Sequence, residues 1–76
     1  MYELVDFIVG SLIDKSTYEL IIVEDGDKAD IKVLVDKDVV NNVIGRGGKV
    51  AKAIRTIVKS AAQKSDKTYG VYVEER

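Results

Sequence analysis

Three glycines, flanked by two cations, stand close together in the stretch VIGRGGKVAKAI, residues 43–54. The glycines leave the backbone without side chains, and the cations add positive charge beside it. Bare backbone amides that open onto the first turn of a helix, next to positive charge, can accept a phosphate. The stretch therefore predicts phosphate or phosphodiester binding. The residues that carry this chemistry are Gly45, Arg46, Gly47, Gly48 and Lys49.

Two common phosphate loops do not fit this spacing. A Walker loop would need glycine at Val43 and a serine or threonine at Val50. A dinucleotide-binding fingerprint would need glycine at Val50 and a preceding strand, but the preceding segment has helical periodicity. A plain glycine-rich turn between packed helices remains an alternative on the glycines alone.

The composition excludes several kinds of chemistry. The chain has no cysteine and no histidine, which rules out disulfides, thiolate chemistry and the common zinc sites. Carboxylates remain as possible ligands for hard cations, but no activated-nucleophile spacing occurs. We therefore predict a protein that is not an enzyme and needs no cofactor or metal.

The length of 76 residues predicts a single domain over residues 1–76, because so short a chain cannot divide its apolar residues between two cores. No apolar run approaches the roughly 18 residues of a membrane span, and the N-terminus lacks the basic start of a signal peptide. We expect a cytoplasmic protein without a membrane partner.

Charge is unevenly distributed along the chain. The net charge of -1 alone argues against a nucleic-acid partner. However, residues 1–38 hold ten acids and four bases, a balance of -6, whereas residues 39–76 hold eight bases and three acids, a balance of +5. The base-rich half contains the glycine stretch, which favours an anionic partner there.

The first half of the chain predicts a helix and a hairpin. Apolar residues recur at three- and four-residue steps up to Ile13, which indicates an amphipathic helix that ends near residues 14–16. Residues 17–24 and 30–36 then have the composition and alternation of strands. We expect their turn at Asp25-Gly26.

The second half predicts a short helix, the glycine turn, a longer helix and a strand. Asp36 or Asp38 can cap the short helix, and Gly45 can end it. The longer helix covers about residues 49–63, and the strand covers residues 69–74. The order α-β-β-α-α-β predicts an α+β fold.

The longer helix is basic on its outer side. Lys52, Arg55 and Lys59 lie opposite its apolar side at 100° per residue. A solvated charged face is the default for any amphipathic helix. Both readings, solvated face and nucleic-acid contact, remain open for these three residues.

The glycine turn and its flanking helices resemble the signature of KH domains: an apolar residue, I-G-x-x-G, and a helix with apolar residues. Here the match is VIGRGG at residues 43–48, followed by Val50, Ala51 and Ile54. The element order is similar to the type II, bacterial arrangement. The resemblance covers nearly the whole chain, and it is greatest to the small bacterial KhpA family, whose L-V-x-x-I-V-x-S-L helix is matched at residues 4–12. One departure is Gly47, where family members often have a bulkier or polar residue.

The resemblance implies a type II KH domain, with a three-stranded mixed sheet packed on one side by three helices. It also implies single-stranded RNA binding, in which the G-x-x-G loop clamps the backbone. A side chain at either glycine of the motif, Gly45 or Gly48, would stand where the strand must pass. The implied RNA-binding residues are Ile44, Gly45, Arg46, Gly47, Gly48, Lys49, Val50, Lys52 and Arg55.

Bases would enter a groove between the two helices and the second strand. Ile44 and Val50 would form its floor, together with Leu34 or Val33. Because the chain has no tryptophan and its single phenylalanine lies in the first helix, we expect no aromatic platform and low sequence specificity. The resemblance implies an RNA chaperone or post-transcriptional regulator that pairs with itself or with a larger KhpB or Jag-type protein.

Two other classes remain open. Two helices joined by a glycine turn also describe a helix-turn-helix, which prefers duplex DNA. A protein-interaction or dimerisation module is the other alternative, and it is compatible with RNA binding.

Overall fold

The computed structural model describes all 76 residues and has the predicted α+β order. Single turns of 3-10 helix lie before the first strand and between the second and third helices. The helices and strands are α1 (Tyr2–Gly10), β1 (Tyr18–Asp25), β2 (Lys28–Val35), α2 (Val40–Ile44), α3 (Lys49–Ala62) and β3 (Thr68–Glu75).

The three strands form one mixed sheet in the order β1-β2-β3, which confirms the prediction. β1 pairs antiparallel with β2, and β2 pairs parallel with β3 so that Thr68 lies opposite Lys28. Because β2 and β3 run in the same direction, the connection between them must return the chain along the sheet, and α3 does so. The glycine turn therefore lies at the opposite end of the sheet from the β1–β2 hairpin turn.

The helices cover one face of the sheet, as predicted. Along β2 the residues Ala29, Ile31, Val33 and Val35 are buried, and the residues between them face the other, helix-free side. The largest fully buried side chains come from the central strand β2 and from all three helices, so one core joins them. These side chains belong to Val5, Val9, Ile31, Val33, Val35, Val43, Ile54 and Val58.

Helix α1 is fixed to β1 by a polar contact beside this core. The Tyr18 hydroxyl donates a hydrogen bond to the Asp6 carboxylate at 2.7 Å. Burial, with the Asp6 contact second, raises the pKa of Tyr18 to about 12. The same hydrogen bond lowers the pKa of Asp6. The contact thus fixes the first helix to the edge strand β1.

Three local predictions were wrong. Helix α1 ends at Gly10 rather than near residues 14–16, because the chain turns there and the Ser11 hydroxyl donates to the Ile8 carbonyl. The hairpin turn is Gly26-Asp27, since Asp25 still pairs with Lys28. No side chain caps α2, which starts only at Val40.

Asp36, one of the two predicted caps, has another role. Its carboxylate accepts a hydrogen bond from Arg76 Nε at 2.6 Å, and Arg76 also donates to the Ser16 carbonyl. The carboxylate therefore helps to fasten the ends of the strands to one another. No helix of the chain has the length and apolar composition needed to cross a bilayer.

Candidate nucleic-acid interface

The glycine turn has a backbone that only glycine adopts easily. Gly45, Gly47 and Gly48 have φ values of +77°, +60° and +77°, in the region where a Cβ is strained. The Gly45 amide donates to the Asn41 carbonyl at 2.8 Å, which ends α2 as predicted. Helix α3 starts at Lys49. The three glycines are therefore required by the sharp reversal between the helices.

The glycines differ in what surrounds them. A Cβ at Gly45 would lie 2.5 Å from Val50 Cγ2 and 2.8 Å from the Val50 nitrogen, so this residue packs against the start of α3. This packing by itself requires glycine at position 45, and the expectation that a side chain here would block an RNA strand stays a prediction. A Cβ at Gly47 or Gly48 would meet nothing within 4 Å. These two residues present bare backbone to solvent.

Most of the loop amides are already used. The Gly48 amide donates to the Gly45 carbonyl at 3.2 Å, and the Lys49 amide donates to the Arg46 carbonyl. Neither Arg46 nor Gly47 donates one of the turn or cap hydrogen bonds. Between Gly45 and Lys49, the amides of Arg46 and Gly47 are therefore the two that are left to contact an anion.

The cations of the turn and of α3 carry no internal counterion. The four ion pairs of the structure join Lys15, Lys67 and Arg76 to acids elsewhere. Because an unpaired exposed cation has lost little of its hydration, it can pair with an incoming phosphate. Within the turn and α3, the exposed cations without an ion pair are Arg46, Lys49, Lys52, Arg55 and Lys59.

Arg55 shows which strand faces these cations. Its Nε donates to the Val71 carbonyl of β3 at 3.0 Å. β3 is an edge strand, and α3 packs closely against it. A hollow of about 230 Å³ lies between them, lined by Arg55, Lys59, Tyr69, Gly70, Val71 and Tyr72.

The predicted groove used the wrong strand. Val33 is completely buried in the core, and Leu34 lies on the helix-free face of the sheet, so neither can line a groove beside α2 and α3. The physical reason is that β2 is the central strand, with neighbours on both sides. Ile44 and Val50, the other two predicted floor residues, are half-buried beside the turn.

Two tyrosines of the hollow were not predicted from the sequence. Tyr69 and Tyr72 line the hollow, which gives it aromatic surface where none was expected. The expectation of no aromatic platform was based only on the lack of tryptophan and on the position of the single phenylalanine. Two tyrosines close together in a predicted strand that follows a basic helix could have indicated this aromatic surface. No group of three or more carboxylates in the chain is arranged to hold a metal ion.

Comparison with known proteins identifies the family. A family model described as "KhpA/KhpB, KH domain" matches residues 2–73. The chain belongs to this KH-domain family. It is 41% identical over 66 residues to "RNA-binding protein KhpA" of Borreliella burgdorferi, covering 86% of this chain and 80% of the relative.

Proteins with the same name from other bacteria match over more of their length. The chain is 43% identical over 68 residues to that of Clostridium perfringens, covering 88% and 91% of the two chains. It is 38% identical over 76 residues to that of Oceanobacillus iheyensis, covering 97% of each. These matches confirm the resemblance to the KhpA family and the prediction of a protein that is not an enzyme.

Proposed function

We propose that this chain, as a single KH domain over residues 1–76, binds single-stranded RNA in the cytoplasm with low sequence specificity. The observation that carries the proposal is the exposed, side-chain-free turn at Gly47-Gly48, flanked by cations without counterions. Three relatives that match most of the chain are named as RNA-binding proteins.

In the proposed complex the sugar-phosphate backbone lies on the turn. The amides of Arg46 and Gly47 donate to a phosphate, and the side chains of Arg46 and Lys49 neutralise its charge and that of its neighbour. The positive end of α3 contributes a further 0.3–1 kcal/mol or so. Bases then extend over Ile44 and Val50 toward the hollow between α3 and β3, and Lys52 and Arg55 follow the strand.

Such a site reads phosphates more than bases, which suits a chaperone or post-transcriptional regulator that meets many transcripts. A single short site is weak, and a second linked site raises its avidity strongly. We propose that the chain pairs with a second copy or with a larger KhpB-type protein.

Phe7 of α1 is 77% exposed and Ile57 of α3 is 45% exposed, and these apolar side chains support an interface on the helices. Sedimentation equilibrium of the chain alone should then show reversible dimers, whereas a monomer at all concentrations would restrict pairing to another protein.

The salt dependence of RNA binding tests the proposal. For single strands the slope of log affinity on log salt is about -0.7 per phosphate contact, so two to four contacts predict a slope of roughly -1.4 to -2.8. Fluorescence anisotropy with a labelled single-stranded RNA measures it. A flat response would exclude the phosphate clamp. Tighter binding to duplex DNA than to single strands would instead favour the helix-turn-helix alternative.

A further inference from the structure

The free edge of β3 has a defined hydrogen-bonding pattern. The amides of Thr68 and Arg76 donate to carbonyls of Asp27 and Val35 on the β2 side. In a parallel pair, alternate residues direct both their N–H and C=O groups to the neighbouring strand, and the residues between them direct both groups away. Val71 is of the second kind. Its amide and carbonyl therefore point to the free edge, where no further strand lies.

Arg55 changes the chemical character of this edge. Without a contact from another side chain, Val71 would offer a base one donor, its N–H, beside one acceptor, its C=O. Here the Arg55 Nε already occupies the Val71 carbonyl at 3.0 Å. A guanidinium has five N–H groups and no acceptor. At Val71 the edge thus presents the amide and the remaining guanidinium N–H groups as neighbouring donors, whereas the carbonyls of Tyr69 and Val73 lie further along the edge.

Bases differ in how they match neighbouring donors. Guanine has adjacent acceptors at N7 and O6, and cytosine has them at N3 and O2. Adenine places its N6 amino donor beside N1 and N7, and uracil places N3–H between its two carbonyls. We propose that Arg55, by covering the Val71 carbonyl, selects guanine or cytosine over adenine and uracil at one position of the bound RNA.

The position of the hollow suits one base of a strand held on the glycine turn. Arg55 lies six residues after Lys49, which is about 9 Å along the axis of α3. The volume of about 230 Å³ is below the range of whole small-molecule sites, roughly 300–1,000 Å³, and fits a single base better than a larger ligand. Tyr69 and Tyr72 at its wall offer surfaces for stacking. The inference rests on the proposed function and adds a base preference to it.

The test uses four uridine-rich octamers that differ only in one central base. We expect wild-type protein to bind the guanine and cytosine octamers about fivefold more tightly than the adenine and uracil ones, the low end for a bidentate contact. Arg55→Met keeps the apolar stem and frees the Val71 carbonyl. This variant should lose the preference and bind the adenine octamer at least as well as the guanine one.

Lys52→Met is the matched control, because Lys52 is an exposed cation of the same helix that does not line the hollow. It should weaken binding to all four octamers by a common factor and keep their order. Equal binding of the four octamers by the wild type would overturn this inference alone, as would a uniform loss in Arg55→Met. No binding of any octamer would overturn the proposed function, and this inference with it.

Discussion

Replacing Arg46 and Gly47 together with aspartate should weaken single-stranded RNA binding about 100-fold. The double substitution changes the charge of the exposed turn by three units, from +1 to -2 at these two positions. A pair of unit charges about 4 Å apart in water interacts by about 1 kcal/mol, so three units correspond to about 3 kcal/mol. The new carboxylates would face the phosphates that the two amides are proposed to hold. Anisotropy titration at low salt measures the loss.

The fold should survive this double substitution. Arg46 makes no ion pair, and a side chain at Gly47 meets nothing within 4 Å. Aspartate also tolerates the φ of +60° at Gly47 better than most residues. Circular dichroism should be unchanged, and the melting temperature should fall by no more than about 8 °C, the shift that 1 kcal/mol produces in a domain of this size.

The hairpin turn provides a matched control. Gly26 also has φ +60° with nothing within 4 Å, and Lys28 is an exposed cation without an ion pair. Gly26→Asp with Lys28→Asp therefore makes the same charge change at the opposite end of the sheet. RNA affinity should fall much less in this variant. Equal losses in the two double variants would mean that overall charge, and not the glycine turn, governs binding.

Gly45→Ala should destabilise the protein by about 2–5 kcal/mol. The added methyl group would lie 2.8 Å from the Val50 backbone nitrogen, which cannot move without moving the start of α3. Overpacking costs about 1–3 kcal/mol, and a left-handed φ adds about 1–2 kcal/mol for a residue with a Cβ. For a domain of this size the melting temperature should fall by at least about 8 °C, measured by circular dichroism.

Gly47→Ala separates the two causes of this loss. Gly47 shares the positive φ but has open space around it, so the substitution should cost only about 1–2 kcal/mol. A Gly45→Ala protein as stable as Gly47→Ala would show that the turn does not pack on α3 as described.

The sequence was sufficient to predict the features that depend on local pattern. The period of 3.6 in α3, the alternation in β2 and the G-x-x-G spacing each specify an element or a turn without reference to distant residues. Alternation also separates Val33 from Leu34, since neighbours on a strand face opposite sides of the sheet. The glycine turn was therefore located correctly, with its exposed cations.

Features that depend on long-range pairing could not be predicted in the same way. Which strand borders α3 depends on the parallel pairing of β2 with β3, which joins residues about 40 positions apart. The contact of Arg55 with Val71, and the tyrosines of the hollow, follow from that pairing. The packing of Gly45 on Val50 similarly depends on the angle between two helices. For this reason the sequence suggested that position 45 is glycine to let an RNA strand pass, whereas the structure shows that it is glycine because Val50 lies against it.

A titration of isotope-labelled protein with single-stranded RNA, followed by amide chemical shifts, tests the central claim most directly. If RNA lies on the glycine turn, the largest changes should occur at the amides of Arg46 and Gly47 and extend to Val71. Glu19 and Ile21, on the helix-free face of β1, the strand farthest from the hollow, should not respond. Changes confined to that face, with the amides of the turn unmoved, would contradict the account.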